Sequence, residues 1–397
     1  MTVKRFKVHS LTGRIDKARM HRAWQAVKRN RGAAGVDGVT IEMFEANLEA
    51  NPTKRRGLFR LAALMHDLKL RGCYHAQPLR RAYVPKGNAQ WRPLGIPTVR
   101  DRVAQEVVRS LLEPIFEPTF SDGSFGFRPG RNAQQAVEEV LRLLDEQGRY
   151  VVDADILSCF DNRPHELMIN RVAEQVADGH ILRLLREFLT AEVMEDGQLH
   201  PVLKGTPQGG VISPLLANIV LDMLDQRLIQ AGFRFVRYAD DFVVICPDAA
   251  SAQQALALVA QTLQHLGLSL AADKTRVATP WQDFNFLGFR LSRKGVSIRA
   301  KSVEKFKDKV RTLTRRHHNV GPDAIQALNR VITGFAQYFA RPFATVRTQF
   351  EKLDAWIRMR LRCMKFKRIS KLDNWRLRNR HLAHLGLGAL SRYTLHA

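Results

Sequence analysis

Apolar and polar positions alternate along the chain in two distinct periods. In FVRYADDFVVIC, residues 235–246, Phe235, Val236, Phe242, Val243, Val244 and Ile245 read as two buried strands. That leaves the adjacent Asp240 and Asp241 on the turn between them. Near the start, KARMHRAWQAVKRN has the spacing of a short amphipathic helix, followed by a loop marked by Gly32, Gly35 and Gly38. Helical patterns continue to about residue 71. RRAYVPKGNAQWRPLGIPTVRDR predicts a hairpin, Tyr83 to Val84 against Trp91 to Leu94 around a Gly-Asn turn, and then a helix over 101–112. The loop GFRPGR precedes a helix over 132–147, YVVDADILSCF reads as a strand, and 183–193 as largely helical. GTPQGGVISPLLANIVLDMLDQRL is a Gly and Pro loop running into a helix. A helix over 250–267, strands near TRVATP and FNFLGFRLSRKG, and helices from about 301 to the end complete the pattern. Strands interleaved with helices indicate an α+β fold.

Charge changes the picture. Among 397 residues, 63 Lys and Arg face 38 Asp and Glu, a formal charge of +25. Such a balance suits a polyphosphate partner such as nucleic acid, or else a solvated, strongly charged surface. Residues 1–31 alone carry ten Lys or Arg and one acid, Asp16, so the first helix can lie along a phosphate backbone. No stretch approaches the about 20 uninterrupted apolar residues of a transmembrane helix. MTVKRFKVHSLTGRIDKARM lacks the apolar run of a signal peptide, so a cytoplasmic protein with no membrane partner is expected. Cys73, Cys159, Cys246 and Cys363 are scattered, without the spacing of a zinc site or a disulfide framework, and are expected as buried thiols.

The acidic pair now needs an explanation. Two like charges side by side repel unless a cation lies beside them, and a metal ion is the obvious candidate. The strand VVDADILSCFD offers Asp153 and Asp155, which share a face because side chains alternate. If that face packs beside the 240 hairpin, the carboxylates converge into a set of hard oxygens suited to Mg²⁺. Two such ions serve in-line phosphoryl transfer. If the face is solvated, the acids are surface residues, and the pair at 240 has a plain loop reading.

The order RPLGIPTVRDR, SFGFRPGR, DADILSCFDN, GTPQGGVISPLLANI, RYADDFVV, LSLAADKTRV and FLGFRL resembles the successive blocks of reverse transcriptases, specifically the group II intron-encoded type. The resemblance runs from about Val27 to Lys294, and LNRVITGFAQYFA with LDAWIRMRLRCMKFKR resembles the maturase, or thumb, domain that follows. It implies a right-hand polymerase of fingers, palm and thumb. It divides the chain into a reverse transcriptase domain at 1–299, a helical thumb or maturase domain at 300–370 and a short basic tail at 371–397. It also implies an RNA-directed DNA polymerase that uses two Mg²⁺ ions, with Mn²⁺ as a substitute.

Carried over residue by residue, the resemblance makes Asp155, Asp240 and Asp241 catalytic, and Asp155, Ile156, Asp240 and Asp241 the metal-holding residues. Asp153 does not fit the motif and reads as a neighbouring acid. Lys86, Arg92, Phe160, Gln208 and Lys274 fall at nucleotide-binding positions. Phe160 is the bulky ring that would exclude a 2′-hydroxyl, or else a core aromatic. Lys274 would approach the nucleotide or simply cap the following strand.

Residues 301–380 hold 21 Lys or Arg and six Asp or Glu, with Phe335, Tyr338, Phe339, Trp356, Phe366 and Trp375 interleaved. Basic, aromatic-bearing helices suit structured RNA, and Lys365, Lys367 and Arg368 form a candidate RNA-binding cluster. Ile332, Phe335, Phe339, Leu353 and Trp356 are expected in the core instead. No Cys- and His-rich module follows Lys371, so second-strand DNA cleavage is not expected of this chain. The expected partners are template and primer, a group II intron RNA, a DNA target and dNTPs, in a bacterial protein at the nucleoid when bound to DNA. Two other readings stay open, a non-catalytic RNA-binding maturase and a domesticated relative serving host defence or repair.

Overall fold

A computed structural model describes residues 7–49, 56–87, 90–148, 150–157, 163–205, 209–279, 282–292, 294–316 and 318–395. In chain order it begins with helices α1 (Lys17–Arg29), α2 (Ile41–Glu49) and α3 (Arg56–Lys69), strands β1 (Leu79–Gly87) and β2 (Gln90–Ile96), and helix α4 (Val99–Phe116). Next come α5 (Ala133–Gln147), β3 (Tyr150–Asp155), α6 (His165–Ala173), α7 (Gly179–Thr190), β4 (Val193–Glu195), β5 (Gln198–His200) and α8 (Ser213–Gln230). The hairpin β6 (Arg234–Tyr238) and β7 (Asp241–Cys246) leads to α9 (Ala249–His265) and strands β8 (Arg276–Ala278), β9 (Phe284–Phe286), β10 (Phe289–Ser292) and β11 (Gly295–Ile298). Helices α10 (Ala300–Leu313), α11 (Pro322–Phe339), α12 (Arg347–Phe366), α13 (Asp373–Arg376) and α14 (Asn379–His384) precede a 3₁₀ turn at Leu390–Leu395.

Two compact units emerge. The first comprises Met1–Asn132, Ala154–Val244 and Gln253–Thr275, and the second Ala133–Asp153, Ile245–Ala252 and Arg276–Ala397. Their boundaries follow packing, and fall at other places than residue 299.

In the first unit, β1 and β2 pair antiparallel with Tyr83 opposite Pro93 and Val84 opposite Arg92. The hairpin expected from sequence is therefore present and longer at both ends. It extends into the sheet β2-β1-β4-β5, where β4 joins β1 in parallel. β4 occupies the end of the segment read as helical to residue 193, because Gly179–Thr190 already completes the helix. Helix α1 buries Met20, Ala23, Trp24 and Val27 and packs against α4. One face of this basic helix is thus core. Helix α8 is buried on nearly every side, including Leu216, Ile219, Val220 and Leu224, as befits a central helix that is apolar all round. Its buried polar residues are Ser213, Asn218, Asp222 and Asp225, of which Asn218 and Asp225 serve the site. Strands β6, β7 and β3 are successive sheet neighbours.

In the second unit, the start of β3 pairs with β8, Val151 opposite Ala278 and Asp153 opposite Arg276. The meander β9–β10–β11 and helices α10 to α12 enclose an aromatic cluster. Phe289 stacks on Tyr338 at 5.8 Å and meets Phe339 at 4.9 Å, while Phe335 lies 4.2 Å from Phe306. Ile332, Phe339 and Leu353 are buried as expected. Trp356 is half-buried, with Lys307 and Arg311 over its ring. The described residues 372–395 are folded against the helices rather than trailing: Asp354 of α12 accepts from the Leu390 and Ser391 amides at 2.8 and 3.0 Å.

Of the thiols, Cys246 and Cys363 are buried but Cys73 is exposed, at the turn that closes α3; Cys159 lies outside the described residues. Among the described residues no helix is long and apolar enough to cross a membrane.

Candidate active site

Strand β3 builds the first part of the site. Val152 and Ala154 are fully buried, so the alternation turns Asp153 and Asp155 to the same, half-buried face. Their fates differ. In the second unit Asp153 pairs with Arg276 at 3.2 Å, the role of a structural neighbour. In the first unit the Asp155 carbonyl accepts from Ala271 at 2.9 Å, and Leu157 donates to Ser269 at 2.9 Å. Those bonds anchor the segment 269–274 beside the strand end and bring Lys274 Nζ to 2.5 Å from Asp155 Oδ2. Ile156 is buried and bridges Leu270, so only its backbone carbonyl could face a metal.

The second part is the β6–β7 turn. Ala239 has φ +60°, a left-handed conformation in which an L-residue with a Cβ is uncommon. Its neighbours hold it there. Arg237, fully buried, donates to Ala239 O at 3.1 Å, to Asn218 Oδ1 at 3.0 Å and to Ser124 Oγ at 2.9 Å. It also pairs with Asp225 at 2.8 and 2.5 Å. The segment 123–126, leading into GFRPGR, closes against it: Phe125 donates to the Arg237 carbonyl, Arg237 to that of Gly123, and a Cβ on Gly126 would lie 2.3 Å from Ala239 N. Gly126 is required by that close approach. Sequence reasoning passed over Arg237. Its signal was an Arg inside an apolar strand, which burial tolerates only with a partner.

Electrostatics tie the parts together. Burial first, and the Asp155 charge after it, push the Asp240 carboxyl above the usual carboxylate range, while a hydrogen bond to its own backbone amide, and then Arg163 and Arg92, pull against the rise. The Asp155 hydrogen bond, with the charges of Asp155, Asp273 and Asp240, raises the Lys274 ammonium against its partial burial. Asp155, Asp240, Lys274, Arg92 and Arg163 therefore share one field. Arg163 is a second residue that the sequence did not single out; it is fully buried, and its carbonyl accepts from Gly205 at 2.7 Å. Arg92 is exposed on β2. Asp241 opens β7 and is half-buried. Gly209 takes φ +123°, where a Cβ would meet Gly95 O at 2.8 Å, so Gly209 itself lies close against the end of β2.

Among the described residues, no three His, Cys, Asp or Glu side chains are arranged to hold a metal ion. The donor chemistry nonetheless fits a hard divalent cation. Asp155 and Asp240, each in the other's field, could serve as the protein share of a site that substrate phosphates and water would complete.

Phe160 and Gln208 lie outside the described residues, as does the side chain of Lys86. In the second unit Lys367 donates to His318 O at 2.8 Å and Arg368 pairs with Asp373 at 3.2 Å. Lys365 is exposed at the end of α12. Two of these three cations are therefore already engaged by protein.

Residues 84–291 match the family model described as reverse transcriptase (RNA-dependent DNA polymerase), whose members generally use divalent metal ions. Residues 303–383 match the group II intron, maturase-specific domain. Protein YkfC of Escherichia coli strain K12 is 34% identical over 299 residues, 66% of this chain and 76% of YkfC. Group II intron-encoded protein LtrA of Lactococcus lactis subsp. cremoris is 44% identical over 167 residues, 42% of this chain but 28% of LtrA. The matched region thus spans less than a third of LtrA. A solved telomerase from Candida albicans shares 13% identity at a TM-score of 0.47, over 82% of this chain and 63% of its own, too distant to carry an argument.

Proposed function

We propose, from the premise that this chain belongs to the reverse transcriptase family and carries a group II intron maturase-specific domain, that it extends a primer 3′-hydroxyl with dNTPs on an RNA template. The observation that carries this reading is the coupling of Asp155 and Asp240, with Lys274 on the first and Arg92 in the field of the second. Asp155 and Asp240, with Asp241 assisting and the Ile156 carbonyl as a backbone ligand, would hold Mg²⁺ or Mn²⁺. A divalent cation held by these residues would supply the charge that activates the 3′-hydroxyl and stabilises the leaving pyrophosphate.

The chain's own groups do the rest. Arg92 neutralises triphosphate oxygens with a planar, two-pronged donor. Lys274 counters the Asp155 charge until metal and nucleotide arrive, then turns to the nucleotide. Arg237 holds the turn so that Asp240 does not have to be organised during reaction, the preorganisation on which electrostatic catalysis depends. Lys86 and Gln208 are assigned to the nucleotide and Phe160 to sugar discrimination.

For the second unit we propose binding of a group II intron RNA for splicing and retrohoming into a DNA target, supported by the maturase match and the basic helices. A cytoplasmic setting, at the nucleoid while DNA is bound, goes with those substrates. Primer extension on an RNA template, with each dNTP and with Mg²⁺ or Mn²⁺, tests the polymerase reading. No extension by the folded protein with either ion would overturn it.

A further inference from the structure

The C-terminal half of α12, the turn at 367–372, α13 and the start of α14 enclose an open groove of about 660 Å³ in the second unit. Five cations line it, Arg358, Arg362, Arg368, Lys371 and Arg378, and no carboxylate does. They are not equivalent. Arg362 is committed to the fold, donating to Leu377 O at 3.0 Å and to Asn379 Oδ1 at 2.7 Å, and Arg368 pairs with the buried Asp373. Arg358 and Lys371 have no carboxylate partner among the described residues, and Lys371 is exposed. Burial, with Arg358 alongside, depresses the Arg362 guanidinium even though the Asp373 carboxylate pulls the other way, so cation crowding outweighs the nearby anion there.

On the rim stands Trp375, 74% exposed, with the Arg378 guanidinium over its ring at 5.8 Å. A tryptophan this open, flanked by Ile369 and Leu372 at 70% and 66%, leaves ring surface in water that folding has not used. A ring beside unneutralised cations is the pairing that takes an unstacked base and its phosphates. A duplex would offer phosphates but hide its base faces, and an acidic peptide would leave the indole without a stacking partner.

We infer that this groove binds unpaired nucleotides of single-stranded RNA, one base stacked on Trp375 and the neighbouring phosphates held by Arg358 and Lys371. The choice of RNA over DNA rests on the intron RNA reading of the second unit; the single-strand chemistry rests on the groove itself.

The test uses the full chain and fluorescein-labelled 12-nucleotide single-stranded RNA, the same sequence as DNA, and an RNA duplex, with anisotropy read at several salt concentrations. Trp375→Ala should weaken single-stranded RNA binding roughly five- to 150-fold, from about 1–3 kcal/mol per stacked base. Its salt slope should remain that of wild type, since no phosphate contact is lost. Trp375→Phe should stay within about threefold. The double variant Arg358→Ala and Lys371→Ala should instead lower the slope by about 1.4 units, two contacts at about 0.7 each on a single strand. Wild-type affinity in Trp375→Ala, an equal loss on duplex RNA, or competition by polyglutamate as strong as by RNA would overturn the site. An equal loss on single-stranded DNA would overturn its assignment to RNA. A wild-type chain that binds no RNA would sink the intron RNA reading as well, whereas wild-type binding that Trp375→Ala leaves intact sinks the groove alone.

Discussion

Lys274 Nζ lies 2.5 Å from Asp155 Oδ2, so the first carboxylate of the candidate active site has a cationic partner from its own chain. Lysine and a divalent ion compete for the same oxygen. Lys274→Ala should therefore tighten Mn²⁺ binding to the nucleotide-free protein. The gain should be at most about fivefold, because a half-exposed pair is worth no more than about 1 kcal/mol. Calorimetric titration with Mn²⁺ reads this directly, and unchanged or weaker binding would show that the lysine does not compete.

Asp240 is the half-buried carboxyl at the turn whose ionisation burial and the Asp155 charge oppose. Asp240→Asn keeps its shape but removes the charge that a metal ion requires. Primer extension should fall by at least about a hundredfold, the scale of losing several kcal/mol of charge stabilisation. RNA affinity should stay within about twofold, since the basic surface is untouched. Extension at the wild-type rate by a folded variant would remove Asp240 from the reaction.

Arg237 tests whether the turn is held from behind. Arg237→Met leaves the fully buried Asp225 carboxylate without its guanidinium, and breaking a buried pair costs about 3–5 kcal/mol. Pairing it with Asp225→Leu should recover much of that stability in thermal melts. Primer extension should not recover to the same degree, because the donors to Ala239 O and Asn218 are still missing. Equal recovery of both would make Arg237 a purely structural residue.

Asp178 gives a pH test away from the metal-holding residues. Burial works against its ionised form, but Thr12, through its amide and hydroxyl, and the amides of Ile181 and His180 outweigh that and hold the carboxyl below its usual value. A depressed folded pKa contributes stability above the ordinary aspartate range and loses it as pH falls through the lower, folded value. Asp178→Ala should cost about 1 kcal/mol at neutral pH as the cap of α7 is lost. The gap to wild type should close as the melting buffer is taken down through the carboxylate range. A gap independent of pH would assign the loss to packing.

Much of this was legible along the chain. The 2-residue period around Asp155, the apolar strands either side of Asp240 and Asp241, and the hairpin carrying Arg92 are local patterns, and local patterns survive in sequence because each depends on neighbours a few residues away. The order of the blocks also carried the family. The charge of 301–380 announced a polyanion partner, but charge density does not say which cations are free. Lys367 and Arg368, picked for their clustering, turned out to be held by His318 O and Asp373.

What the sequence by itself determined was therefore the elements, the carboxylates and the polymerase class. Tertiary structure decided which groups share a field: that Asp153 goes to Arg276 and Asp155 to Lys274, that Arg237 reaches from β6 to α8 and Ser124, and that Gly126 has to be small because Ala239 N lies against it. The physical reason is range. Periodicity is set by backbone geometry within a segment, whereas a buried charge finds its partner only across segments that folding brings together, and no spacing along the chain encodes that distance.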